Sequence, residues 1–345
     1  MNKKIAVIGC GIWGKNLVRN FHSLACLYTG CDIDAELLES ISKEYPEINF
    51  TNNIENIFNS KEIDGIAIAT PSHTHYPLVK KALEAGKHVY VEKPIATCSE
   101  EAAELNKIAD AKELVLMVGH LLLYHPAVNR LRSIVNEGQL GEIKYVQSDR
   151  LNINLFWNDR NVMWDLAPHD VSMISYILDS SPLDVTSSVG VSTNNDGIVD
   201  IAHIDLEFPE NVHAHISNSW IHPIKRVMLI VRGTNATAVL DDTDSSNKLH
   251  IYDNFSTDKK TVEYPEYLEI EPLKLECQHF ISCITNKIKP RSDGLNGYEV
   301  VNILEKAERI MLGKNYNRIH SFKLASSRKK AEKSSLTERL NKSAD

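Results

Sequence analysis

The chain has 345 residues, 43% hydrophobic and 24% charged, an ordinary globular composition with length for two domains of roughly 100 to 200 residues each. Its 46 acidic and 38 basic side chains give a formal net charge of -8, and no basic stripe interleaved with aromatics occurs, which argues against nucleic acid as a partner. A small substrate, even an anionic one, stays open, because local charge rather than the total steers it. No apolar run approaches the roughly 18 residues that span a bilayer, and MNKKIAVIGC runs straight into a strand-like segment. A cytoplasmic protein with no membrane partner is expected.

From residue 3 to about 119, short apolar runs alternate with helix-length amphipathic stretches. KIAVIG leads to GKNLVRNFHSL, ACLYTGCD to AELLESISKEY, DGIAIAT to HTHYPLVKKALEAG, and KHVYVE to SEEAAELNKIADAK, with ELVLMVG as the last strand. The pattern is beta-alpha-beta, and near-continuous Val, Ile and Leu in the strands predicts a parallel sheet covered on both faces. After Gly119 a helix over about 126 to 136, closed by Gly138, precedes the strand GEIKYVQSDRLNI. A helix opened by WDLAPHDV and running through Leu178 follows. VDIAHIDLEF, NVHAHISNSW, KRVMLIVRG and ATAVLD then alternate with period two between turns such as Pro209-Glu210-Asn211 and Gly233-Thr234-Asn235. That pattern predicts a mostly antiparallel sheet with one wet face. Helices around 272 to 286 and 296 to 312 should pack back on the core, and the polar tail from Ala325 should be disordered or a loosely held helix.

The expected fold is α/β: an N-terminal doubly wound parallel sheet over residues 1–120, a C-terminal α+β domain with a large open antiparallel sheet over 121–324, and a tail over 325–345. Cys10, Cys26, Cys31, Cys98, Cys277 and Cys283 show neither CxxC spacing nor zinc-like pairing with histidines. Reduced, mostly buried thiols and no metal are expected.

Gly9-Cys10-Gly11-Ile12-Trp13-Gly14 fits GxGxxG with a buried strand before it and a helix after it, the context a Rossmann dinucleotide turn requires. The first Gly permits the turn, the second admits the pyrophosphate, the third lets helix pack on strand, and the helix N-terminus adds about half a positive charge. Asp32, followed by Ile33, ends the second strand about 20 residues on, where an acid bridges ribose hydroxyls and repels a 2′-phosphate. NAD is therefore expected rather than NADP, with Lys15 as the nearby base that would favour the latter. Glycines serving a turn without ligand, or a flavin, are the alternatives.

Two more strands end in polar motifs, Thr70-Pro71-Ser72-His73-Thr74-His75 and Glu92-Lys93-Pro94, which would face the same crevice. Thr70, Pro71, His75 and Glu92 join the cofactor candidates. Lys93 is suited to polarise a substrate oxygen as hydride leaves, while His75 caps or packs its helix equally well. Asp165 and His169 lie one helical turn apart: His169 suits the exchange of a hydroxyl proton near neutrality, and Asp165 either caps the helix, with Pro168 in its first turn, or orients a partner.

Taken together, GCGIWGKN, IATPSHTHYPLVKKALEAGKHVYVEKP and ECQHFISCITNKIKPRSDGLNGYEVVNILEKAE resemble the glucose-fructose oxidoreductase, inositol dehydrogenase and MocA family over residues 3 to 312. The resemblance implies a dinucleotide domain followed by a sheet domain holding a sugar-like substrate, a catalytic Lys93, and an Asp-xxx-His pair matched by Asp165 and His169. It also implies homodimers or homotetramers associated through the C-terminal sheet. Gly119-His120-Leu121-Leu122-Leu123-Tyr124-His125-Pro126 lacks the arginine of the GFxxRFxP stretch of typical relatives. With SDRLNI and MWDLAPHD, it is more similar to members that oxidise the 3-hydroxyl of a nucleotide-activated amino sugar, UDP-N-acetylglucosamine or its uronic acid. Arg150 and Asn152 are candidate contacts to phosphate or hydroxyls, and Trp157 or Trp164 would stack on a ring; ion-pair and core roles are the alternatives. A polyol or other sugar dehydrogenase or ketoreductase, and a non-catalytic NAD-binding regulator, are the competing functions.

Overall fold

The structure, a computed structural model, describes residues 3–153, 161–193, 197–255 and 262–313. Trp157 and the tail from Ala325 lie outside the described residues. The first half alternates β1 (Ile5–Ile8), α1 (Gly14–Ser23), β2 (Leu27–Cys31), α2 (Ala35–Glu44), β3 (Asn49–Thr51), α3 (Glu55–Phe58), β4 (Gly65–Ile68), α4 (His75–Glu84), β5 (His88–Glu92), α5 (Ser99–Ala111) and β6 (Leu116–Gly119). Its six strands run in the order β3-β2-β1-β4-β5-β6, and every neighbouring pair is parallel. The order reverses between β1 and β4, so the carboxyl ends of those strands border the crevice in which such sheets bind ligands.

The second half contains α6 (Pro126–Asn136), β7 (Ile143–Ile153), α7 (Val162–Leu178), β8 (Asp184–Val191), β9 (Ile201–Phe208), β10 (Val212–Ser219), β11 (Ile221–Gly233), β12 (Ala236–Asp241), β13 (Leu249–Asp253), β14 (Val262–Glu263), α8 (Pro272–Asn286) and α9 (Gly294–Leu312). The eight strands lie in the order β14-β13-β12-β11-β7-β10-β9-β8. β7 and β10 are parallel and the other pairs antiparallel. In β9 the alternation is complete: Ala202, Ile204, Leu206 and Phe208 are buried against the helices while their neighbours are half-exposed. Ile216 and Trp220 also turn inward and are fully buried, whereas Met228 is half-buried. No helix of the described residues is long and apolar enough to cross a membrane.

One core lies between the second sheet and α6, α7 and α9, and two more cover the faces of the first sheet. The late helices return to different places. α8 packs Cys277, Phe280 and Ile284 into the face of the first sheet that α1 covers, and Phe280 meets Phe21 and Tyr90 edge-on at 6.4 and 6.0 Å. α9 gives Val300 and Leu304 to the core of the second sheet and Val301 to that of the first. Five of the cysteines are buried, and Cys98 is half-buried. Because Phe280 is fully buried in the core of a sheet far from it in sequence, Phe280→Ala should cost about 3–5 kcal/mol, measured by urea denaturation; a loss below about 1 kcal/mol would show that α8 does not complete that core.

Candidate active site

The chain leaves β1 through Gly9, whose φ of +86° disfavours any side chain. A Cβ on Gly9 would sit 2.6 Å from the Ala69 carbonyl oxygen, and one on Gly14 only 1.8 Å from that of Gly9, so bare backbone is what lets α1 close on β1 and β4. Gly11 is different: a Cβ there would meet nothing within 4 Å, which leaves room for a pyrophosphate to approach. No side chain caps α1; the Lys15 and Asn16 amides turn back to the Gly11 and Trp13 carbonyls, and the positive end of the helix dipole lies at the turn. At the end of β2, Asp32 Oδ2 accepts from the Cys10 amide at 2.7 Å and Oδ1 from the Asp34 amide at 3.1 Å, which fixes the carboxylate beside the turn. Ile12, within the turn, and Ile33, next to Asp32, are 90% and 95% exposed, apolar surfaces suited to a flat base. Open backbone, uncapped helix and ordered acid together fit a dinucleotide.

Thr70, after β4, packs its methyl against Gly9 and hydrogen-bonds Thr74 between hydroxyls at 2.7 Å, and Pro71 leads into the short helical turn Ser72–Thr74. His75 is buried. Its Nδ1 lies 2.7 Å from the Pro94 carbonyl and its Nε2 2.8 Å from that of Thr70, so it ties the loop after β4 to the loop after β5. Glu92 closes β5 and accepts from the indole Nε1 of Trp13.

Lys93 then reaches across to α7. Its Nζ donates to the Asp165 carbonyl at 2.6 Å and lies 3.5 Å from Oδ1 of the same residue, with both side chains largely buried. Asp165 does not cap α7. Asn161 does, accepting from the Trp164 amide at 3.0 Å, and Pro168 lies inside the helix rather than in its first turn. Pro168 removes the ladder bond to the Trp164 carbonyl four residues back, next to the Asp165 carbonyl that accepts from Lys93. Asp165 Oδ2 accepts from the fully buried Trp220 at 3.2 Å.

One turn on, His169 Nδ1 is buried with no hydrogen-bond partner among the described residues. Burial first, then the charge of Lys93 and the fields of Arg150 and His120, holds this imidazole well below the ordinary histidine value, so it is neutral near pH 7. His120, just past β6, places Nδ1 2.6 Å from the Asn296 amide oxygen. Burial brings it down to about 4, and Lys93 adds to that against the opposing hydrogen bond. An ammonium held by an acid and two neutral imidazoles thus converge at the ends of β5 and β6 and the start of α7.

Arg150 is committed inward: Nε and a terminal nitrogen donate to Asp170 Oδ1 at 3.2 and 3.1 Å, and Ser148 and Asn218 complete the shell of that fully buried carboxylate. A small cleft lies beside Arg150, bordered by Ser148, Met173, His125 and Asp242. Asn152 follows on β7 and is half-buried. Trp164 wedges into the cores of both sheets, a packing position. The sequence assigns His120, Asp170 and Trp220 no role at the site, and places Trp220 only among apolar residues of a candidate association face; His120 alone carries a signal, its place immediately after a strand of the parallel sheet.

The parallel sheet and its glycine turn place the chain among Rossmann-type proteins, with Lys93 after β5 facing Asp165 and His169 on α7. A family model described as an oxidoreductase family with an NAD-binding Rossmann fold matches residues 3–120, and the C-terminal domain model of the same family matches residues 128–239. The chain belongs to the Gfo/Idh/MocA oxidoreductase family. It is 25% identical over 314 residues to the UDP-N-acetylglucosamine 3-dehydrogenase of Acidithiobacillus ferrooxidans, covering 87% of this chain and 95% of the relative. A solved structure of that enzyme superposes with a TM-score of 0.81 at 23% identity over 90% of this chain and 98% of the other, a likeness of fold. The uncharacterized oxidoreductase YdgJ of Escherichia coli is 31% identical over 210 residues, 58% of this chain, and the scyllo-inositol 2-dehydrogenase (NADP(+)) IolW of Bacillus subtilis is 25% identical over 214 residues, 59% of this chain. The match spans 60% of the length of each of those two relatives.

The histidine electrostatics can be read directly. Imidazole signals of His169, followed by NMR in the free protein, should titrate below the usual histidine value of about 6.5. Lys93→Met removes a neighbouring cation and should move the midpoint upward; an unchanged midpoint would show that the two side chains do not sense each other.

Proposed function

We propose that the protein is an NAD-dependent dehydrogenase that moves hydride between the nicotinamide and a ring hydroxyl of a sugar, above all the 3-hydroxyl of a nucleotide-activated amino sugar such as UDP-N-acetylglucosamine or its uronic acid. The observation that carries the reading is the Lys93 ammonium, held by Asp165 beside a neutral His169 at the edge of the dinucleotide turn. The nicotinamide ring, when bound, supplies the hydride acceptor or donor. Lys93 donates to the substrate oxygen and stabilises the negative charge that develops as hydride leaves carbon. His169, neutral with an unpartnered nitrogen, takes the hydroxyl proton and returns it in the reverse direction. Asp165 holds Lys93 in place, and Trp220 holds Asp165.

Asp32 favours NAD: its carboxylate, ordered by the Cys10 and Asp34 amides, meets ribose hydroxyls well and a 2′-phosphate badly. In this reading residues 1–120 hold the dinucleotide with Gly9, Gly11, Gly14, Thr70 and Pro71 around the phosphates, and residues 121–324 hold the sugar. The open face of the large sheet associates two or four copies. A second reading, oxidation of a free polyol, has one observation in its favour. The guanidinium of Arg150, the cation expected to greet a substrate phosphate, is engaged with Asp170.

Absorbance of reduced cofactor decides among substrates when the purified chain is offered NAD with UDP-N-acetylglucosamine, its uronic acid and a set of polyols. Turnover of the sugar nucleotides supports the first reading, turnover of inositol alone overturns it in favour of the second, and cofactor binding without reduction points to a regulator. With the active substrate, Lys93→Met and His169→Ala should each lower kcat by about a hundredfold or more; near-wild-type rates would remove them from the chemistry. Asp32→Ala should lower the NAD to NADP ratio of kcat/KM by about tenfold or more, the scale of one charge interaction beside a phosphate.

A further inference from the structure

Beneath the dinucleotide turn lies a buried polar chain that Lys93, Asp165 and His169 do not use. The hydroxyl of Tyr90, a fully buried residue in the middle of β5, lies 2.9 Å from Glu92 Oε1 and 3.1 Å from Glu276 Oε2. The indole nitrogen of Trp13 donates to the same Glu92 Oε1. Glu276, on α8, is fully buried, and its Oε1 meets no hydrogen-bond partner among the described residues. Gly119 on β6 makes room for the chain: a Cβ there would sit 2.6 Å from the Tyr90 oxygen and 3.0 Å from the Glu92 carboxyl.

Counting donors places a proton. A phenol has one hydrogen to give, and ionised carboxylates only accept, so Tyr90 can satisfy one of its two acidic neighbours. The other contact needs a proton on a carboxyl group. Burial raises the Glu92 carboxyl too, but the Trp13 N–H, the Tyr90 hydroxyl and the neighbouring Lys93 all favour its charged form, whereas Glu276 has only Tyr90. Glu276 has no ion pair among the described residues, and an ionised carboxylate with one bare oxygen in the core is costly. The groups facing it are Glu92, Tyr90, Cys277 beside it on α8, and Tyr124 from the turn after β6; Arg19 and Glu271 act on the outer side of Cys277. None of them supplies Glu276 with a cation. Burial, and then the charge of Glu92, correspondingly push this carboxyl well above the usual range.

We infer that Glu276 is a protonated positioning residue: its hydroxyl donates to the Tyr90 oxygen, Tyr90 donates to Glu92, and this one buried proton orders the carboxylate that grips Trp13 of the glycine turn. The inference rests on the reading of that turn as the dinucleotide site. Its consequence is a pH dependence of cofactor affinity. As pH rises and Glu276 loses its proton, the Tyr90 hydroxyl faces two carboxylates, the grip on Trp13 loosens, and affinity falls.

Infrared difference spectroscopy between the wild-type chain and Glu276→Gln, near neutral pH, should show the carbonyl band of a protonated carboxylic acid in the former only. Calorimetric titration with NAD supplies the second readout. Glu276→Leu, lacking the donor, should bind about tenfold more weakly, and Tyr90→Phe likewise, the worth of one buried hydrogen bond. Glu276→Gln, whose amide donates to Tyr90 in place of the acid, should restore affinity to within about threefold and abolish its fall at alkaline pH. Absence of the band, or the same alkaline fall in Glu276→Gln, overturns the assignment. If the wild-type chain binds neither NAD nor NADP, the dinucleotide reading falls, and the band alone upholds or overturns the proton on Glu276.

Discussion

An ammonium withdrawn from water has to be held, and the hold on Lys93 organises this molecule's site. Lys93 belongs to the loop after β5 of the first sheet, while Asp165 belongs to α7, which is laid over the second. The bond from Nζ to the Asp165 carbonyl therefore sets the spacing of the two halves where they meet. Trp220, in the same half as Asp165, secures the Asp165 carboxylate, and His169, kept neutral first by its burial, also feels the cation.

Two buried acids show how surroundings assign charge within one chain. Asp170 receives Arg150, Ser148 and Asn218, so its negative charge is matched by a guanidinium and two neutral donors. Glu276 receives no such help and shares only a phenol with a second acid. The first is itself the helix residue next to His169 and fixes Arg150; the second lies under the glycine turn. Each stands behind a candidate reacting group, and neither touches the crevice itself.

Much of this was legible in the residues, for identifiable reasons. Buried parallel strands write themselves as unbroken Val and Ile, and Pro126 at the start of α6 and Gly138 just beyond its end mark that helix at both ends. β3 escaped notice because Asn49–Thr51 is short and polar and takes its identity only from pairing with β2. Asp165 has the residue type of a cap, but Asn161, four residues earlier, is the one that caps α7. Gly9, Lys93 and His169 sit in local motifs and were visible. Trp220 and Glu276 were not, since their contacts join residues 55 and 186 positions apart, and no local pattern encodes such a meeting.

The chain order suggests two bodies joined by a connection near residue 120, but α9 does not respect that division. Its Val301 is in one core while Val300 and Leu304, on neighbouring turns, are in the other, and Trp164 is lodged between the same two cores. Removing either body would strip apolar surface from a helix that the remaining one also needs. Each half therefore leans on apolar surface that the other covers, which couples the opening of one to the loosening of the other.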